Sequence, residues 1–205
     1  MRVLLVGGGC RGRELARLLV ADGHAVRAVT RDEAGRAAIE ATGAECWIGD
    51  PDVVGTLRYA LENVTILVWA LGTARGAPDD VAALHGTRLE MMLGRVIDST
   101  VRGVVYEAAG TVGDEVLAAG AAELRRACEL NEIPYALVVD NPRDGEAWRA
   151  AARRSIDCRA AAFQASPSRG LSTTSAYGIS LSSQTRRSST APAASTSSPT
   201  VPAAS

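Results

Sequence analysis

Short, wholly apolar runs alternate with longer stretches whose apolar residues recur at helical spacing, and this alternation predicts a parallel sheet with crossover helices. Residues 2–6, RVLLV, form the first strand and run straight into glycines. Residues 14–21 then present Leu15, Leu18 and Leu19 on one helical face. The same grammar predicts strands at 24–30, 45–48, 65–71, 103–109 and 134–139. Between them it predicts helices over 36–41, around Leu57 and Leu61, and over 115–130, with a last one over 145–156. The longest helix is expected to start at Asp79 or Asp80, after Pro78, and to end before Gly103; Val81, Leu84, Met92 and Val96 form its stripe. The fold expected is a doubly wound α/β Rossmann domain with parallel strand order 3-2-1-4-5-6.

Beyond residue 157 the pattern stops. Residues 158–205 are rich in Ser, Thr, Ala and Pro, with four Arg and no acid. Such a segment buries too little apolar area to offset its chain entropy, so it is expected to be disordered, leaving 1–157 as the domain. A second explanation is an out-of-frame translation beginning near Ser155, which resequencing would test.

Composition then narrows the chemistry. The chain has 205 residues and a formal net charge of −1, but residues 1–157 hold 18 Arg against all 23 acidic residues. An acidic folded part argues against nucleic acid as a partner. All 22 basic residues are arginine, so any chemistry that requires a lysine is excluded. Cys10, Cys46, Cys128 and Cys158 form no C-x-x-C pair, and with only two histidines no metal site is expected. Reduced thiols imply a cytoplasmic protein. Its longest strongly apolar run, residues 66–71, is far below the ~20 residues of a membrane span.

The central motif is Gly7-Gly8-Gly9-Cys10-Arg11-Gly12, a G-x-G-x-x-G between first strand and first helix. One glycine makes the turn, one admits a pyrophosphate to the backbone, and one lets helix and strand pack closely. The helix N-terminus adds unpaired N–H groups and partial positive charge. Where an NAD site usually carries an acid after the second strand, this chain reads Thr30-Arg31-Asp32. A guanidinium there suits a 2′-phosphate, so NADP is expected in preference to NAD. Asp32 is the alternative ribose ligand. Cys10, at a helix N-terminus, could sense redox state, although a small loop residue is the simpler reading. His85 is expected on the surface of the long helix.

Residues 2 to about 140 resemble the short-chain dehydrogenase/reductase superfamily in its extended and atypical, epimerase-like branch. The glycine loop and the Thr30-Arg31 corner carry the resemblance, together with Gly49-Asp50, Ala70-Leu71-Gly72, Gly86-Thr87 and Val104-Val105-Tyr106, in family order. It implies that Asp50 reaches the adenine and that Leu71 and Gly72 flank the cofactor ribose. With Gly7, Gly9, Cys10, Arg11, Gly12, Thr30 and Arg31, these make up the expected cofactor site. Asp50 as a helix cap and Gly72 as a simple turn are the alternatives.

The family's Tyr-x-x-x-Lys pair is absent, because Tyr59, Tyr106, Tyr135 and Tyr177 are followed four residues on by Asn63, Gly110, Val139 and Leu181. The helix asparagine and the serine after strand five are missing too: Ala83 and Thr111 stand nearest those places. Tyr106, Glu107 and Thr111, near a strand's C-terminal end, are the remaining catalytic candidates. Two functions stay open: an NAD(P)-dependent reductase or epimerase of unidentified substrate, and a non-catalytic NADP(H) sensor acting on a protein partner or a second copy.

Overall fold

The computed structural model describes residues 1–140 and 144–165. Six parallel strands form one sheet in the order β3-β2-β1-β4-β5-β6, as expected. They are β1 (Arg2–Val6), β2 (Ala25–Thr30), β3 (Glu45–Ile48), β4 (Ile66–Trp69), β5 (Gly103–Glu107) and β6 (Tyr135–Val138). Among the described residues six α-helices flank the sheet: α1 (Cys10–Ala21), α2 (Arg36–Glu40), α3 (Pro78–His85), α4 (Thr87–Ile97), α5 (Asp114–Leu130) and α6 (Gly145–Ala165).

Strand alternation divides the core into two layers. On one face Leu4, Val6, Leu67, Trp69, Val104 and Tyr106 pack under α4 and α5. On the other, Val3, Leu5, Val68 and Val105 meet Leu15 and Leu19 of α1 and Trp148 and Ile156 of α6. The pairings Val6 with Val29, Val6 with Trp69, and Trp69 with Tyr106 bring the C-terminal ends of β2, β1, β4 and β5 onto one rim.

Three expectations are corrected. The long helix is two helices, because the backbone leaves helical geometry at Gly86 (φ −111°, ψ −107°), the residue type least tied to it. The helix expected around Leu57 and Leu61 is a pair of 3₁₀ turns, Val54–Leu57 and Tyr59–Leu61, which bury both leucines in a segment too short for an α-helix to propagate. The last helix does not end at 156 but runs to Ala165, because residues 157–163 hold good helix formers, three of them alanine, and neither glycine nor proline. The rest of the expected disordered tail, 166–205, lies outside the described residues.

Candidate functional site

The rim holds a cleft of about 730 Å³. Its floor is the turn from β1 into α1, and two of the motif glycines are set by contact. Gly7 has φ +132°, and a Cβ there would stand 2.3 Å from the Ala70 carbonyl oxygen. A Cβ on Gly12 would stand 1.8 Å from the Gly7 carbonyl oxygen, which is how α1 comes down close on the strand. Gly9 differs, with nothing within 4 Å of its Cβ direction: the space is the cleft itself. Gly9 is also the N-cap of α1 and offers no side chain to the helix amides. These donors and the room above Gly9 are what a pyrophosphate requires, so the residues present fit a dinucleotide.

Of the expected cofactor residues, Gly7, Gly9, Cys10, Arg11, Gly12, Thr30, Arg31 and Leu71 line the cleft; Asp50 and Gly72 do not, although their chain neighbours Gly49, Pro51, Leu71 and Thr73 do. Cys10 is exposed, and its sulfur accepts a hydrogen bond from Arg13 Nη2 at 3.3 Å. Asp50 acts through Arg31, whose Nε donates to Asp50 Oδ1 at 3.2 Å while Nη2 donates to Asp52 Oδ2 at 3.2 Å. Asp50 Oδ1 also accepts the Asp52 amide, so it braces its own turn. Asp32 accepts the Gly35 amide and caps the 3₁₀ turn that follows β2.

The opposite end of the cleft is built from four segments. Arg11 Nη2 donates to Glu107 Oε1 and to Thr73 Oγ1, both at 2.7 Å. Glu107 Oε2 accepts the Gly72 amide at 2.7 Å. The Gly72 carbonyl in turn accepts the amides of Thr111 and Val112, an approach so close that a Cβ on Gly110 would lie 1.6 Å from it. Trp148 of α6 sets its ring beneath the Arg11 guanidinium, 4.7 Å from the ring centroid. Its buried indole N–H has no acceptor in hydrogen-bonding geometry among the described residues, yet it lies close enough to help lower the Glu107 pKa. Burial outweighs that help and pushes the Glu107 carboxyl above its ordinary pKa, against Arg11 and the Gly72 amide.

The three catalytic candidates part company here. Thr111 lines the cleft and is exposed. Glu107 is 2% exposed, committed on both oxygens. Tyr106 points to the other face of β5, where burial and the Glu107 charge push its pKa up. Its hydroxyl lies 2.7 Å from Nδ1 of His85, which is 1% exposed and not on the surface as expected. The break at Gly86 ends α3 with His85 turned into the core.

Thr73, Arg75, Trp148 and His85 were not legible as site residues. Thr73 and Arg75 follow an unremarkable strand, and Trp148 sits on an apolar helical stripe that reads as core. Only the return of α6 across α1 brings it over the glycine loop. Among the described residues the cleft wall carries three arginines, Arg11, Arg31 and Arg75, and no carboxylate, an electrostatic match to an anionic ligand.

A β-α-β cradle with open helix amides, at the switch point of a 3-2-1-4-5-6 sheet, defines a dinucleotide-binding Rossmann protein. Residues 7–132, more than half of the chain, match the NAD(P)H-binding family, and the chain belongs to that family. Its cofactor is a nicotinamide dinucleotide. No curated protein matches in sequence. Among solved structures it is similar to the UDP-glucose 4-epimerase of Thermotoga maritima with UDP-glucose, at TM-score 0.58 and 14% identity over 68% of this chain and 55% of that one. It is also similar to the Citrobacter sp. triphenylmethane reductase complexed with NADP(H), at 0.52 and 16% over 67% and 49%. A third is the UDP-glucuronic acid 4-epimerase of Bacillus cereus with NAD, at 0.56 and 10% over 68% and 55%. Identities this low show a shared fold alone, and the chain spans about half the length of these proteins. Among the described residues no helix is long and apolar enough to cross a membrane, and no group of three or more His, Cys, Asp or Glu could hold a metal.

Proposed function

We propose that the protein binds NADP(H) in preference to NAD(H), with Arg31 as the ligand of the 2′-phosphate. The supporting observation is the end of β2, where Thr30 and Arg31 line the cleft while the Asp32 carboxylate is turned away to cap the following turn. The glycine loop and α1 amides then take the pyrophosphate, and Leu71 flanks the nicotinamide-side ribose. Bound there, the cofactor would supply hydride transfer. The chain's own part is to bind and orient it. Titration calorimetry with NADPH, NADP⁺, NADH and NAD⁺ tests this. Arg31→Ala is expected to weaken NADPH about tenfold or more while sparing NADH. Equal loss of both would overturn the 2′-phosphate assignment, and no binding at millimolar cofactor would overturn the site.

For activity, a reductase or epimerase of unidentified substrate would draw on Thr111, the candidate hydroxyl at the cleft. The second reading, a non-catalytic NADP(H) sensor that signals to a protein partner or a second copy, is supported by Tyr106 having no exposed surface and by the chain having no lysine. Screening carbonyl and sugar-nucleotide substrates by NADPH absorbance separates the two. The free thiols suit a cytoplasmic location.

A further inference from the structure

Simple dinucleotide binding does not call for a buried acid, yet Glu107 sits behind the cleft wall with both oxygens engaged, one by Arg11 and one by the Gly72 amide. Arg11 is the second residue of α1, at the helix end where a diphosphate is drawn, and it lines the cleft. The same guanidinium therefore stands between a carboxylate behind the wall and the space in front of it where a diphosphate would lie. Resting on the dinucleotide reading of the cleft, we propose that Glu107 competes with the cofactor's diphosphate for Arg11. Glu107 is then a positioning residue that sets Arg11 in the wall and takes up a proton from solvent as the dinucleotide binds.

The groups that reach Glu107 among the described residues come from three elements. Arg11 approaches from α1, the Gly72 amide from the turn after β4, and Trp148 from α6. Tyr106, its chain neighbour, feels its charge from the opposite face of β5. Burial already favours the protonated acid, and Arg11 is the main restraint against it. A diphosphate that draws on Arg11, and adds negative charge nearby, loosens that restraint. Linkage then works in both directions: if the dinucleotide raises the proton affinity of Glu107, protonation of Glu107 raises dinucleotide affinity by the same factor. Affinity is highest where Glu107 is protonated in the free protein, and it falls with rising pH to a plateau where the acid stays ionised in both states.

Calorimetric titration of the full chain at about pH 6 and about pH 8, in buffers of different ionisation enthalpy, reads both consequences. NAD⁺ serves for proton counting, because its diphosphate keeps its charge across this range; with NADP⁺ the 2′-phosphate titration is common to all variants and cancels between them. The wild type is expected to take up protons on binding and to bind about tenfold more weakly at the higher pH. Glu107→Gln is expected to lose the uptake and the pH dependence, and to bind at about pH 8 at least as tightly as the wild type. A Glu107→Gln protein that binds more weakly by the same factor at both pH values would mark a mere brace and overturn the proposal. So would wild-type binding of NAD⁺ without proton uptake, a measurement that needs no variant. Failure of NAD⁺ and NADP⁺ alike to bind would instead overturn the reading of the cleft.

Discussion

Nδ1 of His85 and the hydroxyl of Tyr106 lie 2.7 Å apart in the interior, tying the end of α3 to β5. Nε2 of the same ring faces the Leu71 carbonyl at 3.3 Å, so its partners assign the ring proton to Nε2, with Nδ1 accepting from the tyrosine. Because Leu71 lines the cleft, the pair anchors a site-forming turn from beneath. Tyr106→Phe removes the hydroxyl, with its bond to His85 and a longer contact to the Leu117 carbonyl at 3.4 Å, without changing the shape. It leaves Nδ1 without its partner, and the expected loss is about 1–2 kcal/mol in urea unfolding. His85→Phe removes both ring contacts, but the hydroxyl keeps the Leu117 carbonyl at 3.4 Å and the Leu71 carbonyl keeps the Ala74 amide at 2.8 Å, so it is expected to cost a similar amount.

Burial holds the His85 pKa below its ordinary value. The unfolded chain therefore binds a proton that the folded one refuses, and folding stability falls as pH drops from about 6.5 towards the lowered folded value. Thermal melts across that window should show the wild-type Tm falling with acid more steeply than that of His85→Gln. Parallel curves would show that the ring is not kept neutral by its surroundings.

Two glycines of one motif should fail in different ways. A Cβ on Gly12 meets backbone at 1.8 Å, so Gly12→Ala must push α1 off the sheet and is expected to destabilise the fold by at least about 2 kcal/mol. A Cβ on Gly9 meets nothing within 4 Å, so Gly9→Ala should melt within a degree or two of the wild type while binding dinucleotide at least about tenfold more weakly. Unfolding and titration on the same two variants check the contrast, and a Gly9→Ala protein with unchanged affinity would remove the pyrophosphate from that spot.

The sheet order was legible because each strand is an apolar run closed by turn residues and each crossover has helical spacing. The glycine loop was legible because its chemistry is local in sequence. What could not be read depends on contacts between distant segments. His85 looks like a surface histidine until Gly86 breaks the helix, and Glu107 looks like a strand-end carboxylate until Arg11 arrives from 96 residues away. Composition misplaced the end of α6, because an alanine-rich run beside serines reads as low complexity although alanine is the best helix former.

Arg31 shows the same arrangement as Arg11, a cleft arginine held from behind by acid, but in water. Its partners Asp50 and Asp52 are a third exposed, and pairs of that kind are worth about 0.2–1 kcal/mol each. Both carboxylates oppose a 2′-phosphate, Asp50 while bracing its own turn and Asp52 with less to do for the backbone. Asp52→Asn should therefore leave the loop in place, free Nη2, and tighten NADPH binding by about two- to fivefold with little change for NADH. The gain should shrink as salt is raised, since exposed charges are screened. Fluorescence titration of both cofactors at low and high ionic strength checks it, and equal tightening of NADH would mean that Asp52 acts on the adenosine as a whole and not through Arg31.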